Sequence, residues 1–163
     1  MDRNISSDCN MIKAGGFTLM ELMITVVIVG ILAAVAVPGM AGWFGKKDLD
    51  SVSRTMFSHF QLARSDAVRN GRQAQIRIDT ANDWYDIRYS NGDVIVSQTT
   101  MPQGIDIVSS TFPLSATMNT TGITSRGFAT QQGEVRISSA NAPAADNVRI
   151  VEMTLGGTVR IRP

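Results

Sequence analysis

The hydrophobic rhythm of the chain changes three times. Phe17 to Val37 is almost wholly apolar and carries one charge, Glu21. About 21 residues form a helix of roughly 30 Å at ~1.5 Å per residue, the thickness of one bilayer core. From Leu49 the apolar positions fall at three- and four-residue steps: Leu49, Val52, Met56, Phe60, Ala63 and Ala67, with Phe57 widening the stripe. That spacing predicts an amphipathic helix with one buried face, and Lys47, Asp50, Arg54, Arg64 and Arg69 mostly on the other. Asn70-Gly71 predicts its end.

Beyond Gly71 the period falls to two. Ala74, Ile76 and Ile78 alternate with Gln75, Arg77 and Asp79. Trp84 to Tyr89 and Val94 to Ser97 flank Asn91-Gly92, a hairpin signal. Ile105 to Val108 predicts a short strand, and Glu134 to Ser138 another with Val135 and Ile137 inward. Val148 to Leu155 and Thr158 to Ile161, joined through Gly156-Gly157, predict a C-terminal hairpin. Pro113 to Ser125 is rich in Ser, Thr, Asn and Gly and reads as a long loop, and Asn141 to Asp146 as a second one. A long helix followed by antiparallel strands is an α+β plan, with the helix packed on a C-terminal sheet.

Between the two helical rhythms lies a weak stretch. Pro38 has no N–H to bond back to the Ala34 carbonyl. Gly39, Gly42 and Gly45 each weaken a helix by about 1 kcal/mol relative to Ala. A kink is expected at Pro38 and Gly39, or a segment able to unwind.

Composition narrows the functional classes. The 163 residues carry a net charge of +1, which argues against bulk attraction to nucleic acid or anionic lipid. Cys9 is the only cysteine, so everything after it must fold without a disulfide. One cysteine and His59, the only histidine, cannot build a structural zinc site. His59 could act as a base only with a nucleophile and an orienting partner, and none stands out. No phosphate-binding glycine loop occurs, and no cofactor is implied. Asn119-Thr120-Thr121 fits a short glycosylation pattern.

Arginines gather towards the C-terminus: Arg149, Arg160 and Arg162, with Arg126 and Arg136 upstream. Arg160 and Arg162 are two apart, so on a strand they share a face. Two such guanidinium groups can clamp successive phosphates, which makes Arg149, Arg160 and Arg162 candidate DNA contacts. The same charges also suit a solvated edge hairpin that resists sheet-to-sheet aggregation.

Glu21 is the puzzle of the apolar segment, because a charge in hydrocarbon is expensive and usually functional. A plain membrane anchor does not need it. A secretory signal peptide fits Leu22 to Leu32 as its apolar region and Ala34-Val35-Ala36 as its cleavage site, which would release a soluble exported protein starting at Val37.

Gly15-Gly16 before Phe17, Thr18-Leu19 after it, Glu21 four residues on and Pro38 at the end of the apolar run occur together. From Lys13 to Pro38 the chain closely resembles the N-terminus of type IV prepilins, the family shared by pili, competence systems and type II secretion machines. The resemblance implies cleavage between Gly16 and Phe17 by a membrane-embedded prepilin peptidase, then methylation of the Phe17 amine. It also implies that Glu21 neutralises the N-terminal amine of a neighbouring subunit. By this resemblance residues 1–16 form a leader, with Met11 an alternative start that would omit Cys9. Residues 17–38 form the transmembrane and assembly helix, 39–71 its amphipathic continuation, and 72–163 the antiparallel β domain.

Ala63 to Ile78, "ARSDAVRNGRQAQIRI", is similar to the helix-to-strand junction of the FimT/GspH group of minor pilins and pseudopilins. The group implies a pilin-like fold and a structural role without catalysis by this chain. The implied partners are other pilins or pseudopilins, the prepilin peptidase and methyltransferase, the inner-membrane assembly platform and membrane lipid. The expected location is the bacterial inner membrane, single-pass, with the globular domain outside the cytoplasm, and then the pilus or pseudopilus. The leading expectation is a minor pilin that assembles into or primes a type IV pilus. The alternatives are a pseudopilin of a type II secretion system and a DNA-binding minor pilin of a competence pilus. Members serving DNA uptake use a glycine-arginine motif near the C-terminus. Here the stretch reads Gly157-Thr158-Val159-Arg160-Ile161-Arg162, with Thr158 where the first arginine would fall.

Overall fold

The structure is a computed structural model that describes residues 16–163, with the side chains of residues 35–41 outside the description. Residues 1–15 of the expected leader, with Met11 and Cys9, therefore lie outside the described residues, as do the side chains at the expected kink, Pro38 and Gly39. The chain divides into two units, Met1–Pro38 and Gly39–Pro163.

One α-helix, α1, runs Leu19–Asn70. In the first unit every described side chain from Phe17 to Ala34 is exposed. Phe17, Leu19, Leu22, Val26, Val29 and Leu32 each show more than half their surface. Apolar side chains displayed all round a helix call for lipid or neighbouring protein as their solvent. Among the described residues no helix is long and apolar enough to cross a membrane. The part of the apolar run with described side chains stops at Ala34, short of the roughly 20 residues that a bilayer core requires.

In the second unit α1 supplies one face of a core. Leu49, Met56, Phe60, Ala63 and Ala67 are fully buried, and Val52 and Phe57 pack partly against them. Ser53 is buried within this stripe because its hydroxyl donates to the Leu49 carbonyl at 2.6 Å. The helix ends at Gly71, whose φ of +63° is open to a residue without Cβ, and the Arg72 N–H closes the last turn on the Ala67 carbonyl at 3.1 Å.

Nine antiparallel strands follow among the described residues: β1 (Ala74–Asp79), β2 (Trp84–Tyr89), β3 (Val94–Thr100), β4 (Ile105–Ser110), β5 (Leu114–Ser115), β6 (Met118–Ile123), β7 (Gly133–Ser139), β8 (Val148–Met153) and β9 (Val159–Arg162). They form two sheets, ordered β3-β2-β1-β6-β5 and β4-β7-β8-β9. The α+β plan and the two hairpins are as expected, but the strands do not form one sheet. After β3 the chain turns through Gly104, with φ +83°, and β4 pairs with β7 instead. Asp83 ties this switch together: its carbonyl accepts from the Met101 N–H and its carboxylate from the Ile107 N–H, both at 2.8 Å. One apolar cluster draws on α1 and both sheets, including Ile76, Ile87, Ile123, Ile107, Ile137 and Val151.

Pro113 to Ser125, expected as a loop, holds β5 and β6, and β6 pairs with both β1 and β5. Its polar residues bond inside the fold: the Asn119 amide donates to the Phe112 carbonyl at 2.6 Å and the Thr121 hydroxyl to the Gln131 carbonyl at 3.1 Å. Asn141 to Asp146 is a loop as expected, ending in a 3₁₀ turn at Ala144–Asp146.

Candidate functional site

The N-terminal candidates sit at the start of α1. Thr18 caps the helix: its hydroxyl accepts from the Glu21 N–H and its carbonyl from the Leu22 N–H, each at 3.2 Å. Glu21 is exposed in the first turn, where the helix dipole favours a carboxylate. The Thr25 hydroxyl bonds back to the Glu21 and Leu22 carbonyls at 2.9 and 2.8 Å, so Glu21 is the one polar side chain here left outward. Phe17 lies just before the helix and is 83% exposed. A Cβ on Gly16 would meet nothing within 4 Å, so any demand for glycine there comes from outside the described fold. Thr18 is a capping residue that the hydrophobic pattern alone does not single out. Its signal is a threonine directly before the apolar helical run, the residue type that caps helix N-termini.

The C-terminal arginines separate. Arg149 lies on β8 with a side chain only 9% exposed, and pairs with Asp50 of α1 at 2.8 Å and with Asp146 at 2.7 Å. Burial opposes its charge, yet bonds to Asp146 and Asp50 hold its pKa above the ordinary value. Arg160 and Arg162 lie on β9, exposed, opposite Glu152 and Ile150 of β8. Arg162 reaches Glu134 at 3.0 Å and Glu152 at 3.2 Å. Arg136 joins the same face and pairs with Glu134 at 3.1 Å. Arg160 has no ion pair among the described residues. Of the three candidate phosphate contacts, Arg160 alone carries an uncommitted charge.

Gly42 and Gly45 have a packing role. A Cβ on Gly42 would come within 3.3 Å of Pro143 Cγ, and one on Gly45 would run into the Asn141 backbone. The Asn141 to Asp146 loop therefore lies directly on the helix. Lys46 and Arg149 both pair with Asp146 there, and the Lys46 bond first, then that of Arg149, holds the Asp146 carboxyl below the usual range.

His59 faces the core edge with Nδ1 2.7 Å from the Tyr85 hydroxyl. Burial lowers the His59 pKa and pushes Tyr85 up to about 12. The pair is thus neutral at pH 7 and ties α1 to β2. The Asn119 amide is bonded within the fold, so the glycosylation pattern is a strand residue with its side chain engaged.

A helix that first displays apolar side chains around one carboxylate, and then packs on antiparallel sheets, defines a pilin-like subunit. The family model of type II transport protein GspH matches residues 52–156, and that of the prokaryotic N-terminal methylation motif matches 11–37. The chain belongs to the GspH family, within the class of minor pilins and pseudopilins of type IV pili and type II secretion systems.

A fimbrial protein of Moraxella nonliquefaciens is 32% identical over 93 residues, 55% of this chain and 60% of that protein. A type II secretion system protein H of Aeromonas hydrophila is 30% identical over 67 residues, 41% of this chain and 37% of that protein. The chain thus spans less than two thirds of either relative. In fold it is similar to the minor pseudopilin EpsH from the type 2 secretion system of Vibrio cholerae, with TM-score 0.57 and 16% identity over 71% of this chain and 96% of that one. It is likewise similar to the type IV minor pilin FimU of Pseudomonas aeruginosa strain PAO1, with TM-score 0.55 and 16% identity over 72% and 90%.

Proposed function

We propose that the protein is a minor pilin that assembles into or primes a type IV pilus. The observation that carries this reading is the apolar, fully displayed start of α1 with Glu21 as its lone carboxylate. Peptidase cleavage between Gly16 and Phe17 and methylation of Phe17 would place the new amine one turn before Glu21. Residues 17–38 cross the inner membrane once, and the globular domain stands outside the cytoplasm. In the filament the Glu21 carboxylate of one subunit pairs with the Phe17 amine of another. The chain contributes packing and charge pairing, and no catalysis. Its partners are other pilins, the prepilin peptidase and methyltransferase, and the assembly platform in the inner membrane.

A second reading, a pseudopilin of a type II secretion system, is supported by the GspH family match and the Aeromonas relative. The physics is the same and the machine differs. DNA receipt at a competence pilus is less supported, because Arg149 and Arg162 are already paired with carboxylates.

A deletion strain separates the machines. Loss of surface pili with secreted enzymes intact is the expected result. Intact pili with lost secretion would move the protein to the secretion machine.

A further inference from the structure

Among the described residues strand β9 ends the second sheet and has only β8 beside it. In an antiparallel ladder successive residues turn their backbone groups alternately towards the partner strand and away from it. The Thr154 N–H bonds the Thr158 carbonyl at 3.0 Å, and Glu152 and Ile150 stand opposite Arg160 and Arg162. Counting in twos from that bond, Arg160 and Arg162 turn their N–H and C=O towards β8. Val159 and Ile161 therefore turn theirs to the open edge. The far side of β8 agrees, since the Ser139 N–H bonds the Asn147 carbonyl at 2.9 Å, which by the same count turns Arg149, Val151 and Met153 towards β7.

The two faces of this edge differ. Val159 and Ile161 share the core-facing side with Val151. Val159 is buried, whereas Ile161 is 36% exposed. Beside Ile161 runs a groove of about 380 Å³, lined on the α1 side by Asp50, Ser53, Arg54 and Phe57. Phe57 is only partly covered by the core. The outer side of the edge carries Arg160 and Arg162, and Arg54 stands exposed at the groove. Neither Arg160 nor Arg54 has an ion pair among the described residues.

We infer that the open edge of β9 binds an extended strand of another polypeptide, with apolar residues turned in towards Ile161 and Phe57 and acidic residues turned out beside Arg160. Backbone bonds to Val159 and Ile161 give such a strand its hold, and the alternation gives it selectivity. The partner is set by charge: a lysine on the outer side of the strand would meet Arg160, which has no ion pair among the described residues, whereas a carboxylate there satisfies it. The inference rests on the sheet edge and stands whichever machine uses the chain. The competing account is that these arginines only guard a bare edge against pairing.

The test uses the full chain in detergent micelles and a peptide labelled on its N-terminus, fluoresceinyl-Thr-Glu-Val-Glu-Val-Glu-Val-Thr-amide, read by anisotropy. The same peptide with Lys in place of Glu, and one N-methylated on its valine amides, serve as controls. The acidic peptide should bind at least about tenfold more tightly than either control. Ile161→Pro removes an N–H that faces the open edge and leaves the ladder to β8 intact, so it should weaken binding about tenfold with the melting temperature little changed. Arg160→Glu should narrow the preference for the acidic peptide. Absence of binding to the unaltered chain would favour the guarded edge and overturn the inference. Binding indifferent to peptide N-methylation would overturn it too, and that readout holds even if Ile161→Pro fails to fold.

Discussion

Changing Glu21 to Ala should leave the chain folded, cleaved and membrane-inserted, yet reduce its share of the filament about a hundredfold or more. The reasoning is differential. In the isolated subunit Glu21 is exposed in the first turn of α1, and its loss removes only a dipole interaction of about 0.3–1 kcal/mol. Helix capping survives, because the Thr18 hydroxyl bonds the backbone N–H of residue 21, whatever its side chain. In the proposed filament the carboxylate is half of a buried pair. Removing one partner of such a pair typically costs about 3–5 kcal/mol, since the other charge stays buried alone. The ratio of the variant in sheared filaments to that in membranes, measured by immunoblot against the unaltered chain, reports this directly. Equal incorporation would remove the pairing role.

Phe60→Ala should destabilise the globular unit by about 3–5 kcal/mol. The ring is fully buried and meets Tyr85 edge-on at 6.4 Å with 86° between planes. Its removal leaves a void where α1 and the first sheet meet. Leu62→Ala, two residues on and 46% exposed, should change stability by no more than about 0.5 kcal/mol. Urea unfolding of the two variants side by side checks the contrast. Similar midpoints would mean that the stripe from Leu49 to Ala67 is not the core face.

Much of this architecture was legible in the residue pattern because burial dictates period. The stripe of α1 and the alternation at Ala74, Ile76 and Ile78 each announce one apolar face, and both faces are buried. Asn91-Gly92 and Gly156-Gly157 announce their hairpins because their backbones need residues tolerant of positive φ, as at Gly92 (+95°) and Gly157 (+72°). The segment containing β6 hid for the opposite reason. Its Ser, Thr and Asn content resembles a loop, but Asn119 and Thr121 turn their polarity inward onto backbone carbonyls, and threonine suits a pleated strand.

Pairing partners were beyond the reach of local pattern. Whether β4 joins β3 or β7 depends on Asp83 and Gly104, far apart in sequence. Arg149 resembles its neighbours in the sequence, yet it sits on the core side of β8 and is claimed by Asp50, 99 positions away. By propensity alone Gly42 and Gly45 are weak points of a helix. A loop nearly a hundred residues later rests on them. The N-terminal residues are a different case, since Gly16, Phe17 and Glu21 form almost no contacts within the described chain. Their pattern is legible only as a motif, which the proposed processing and assembly would read.

The mass of the mature N-terminus tests the central claim most directly. The account predicts a chain that begins at Phe17 and carries one added methyl group on its amine. A chain beginning at Val37 would contradict it and indicate a soluble protein released by a secretory peptidase.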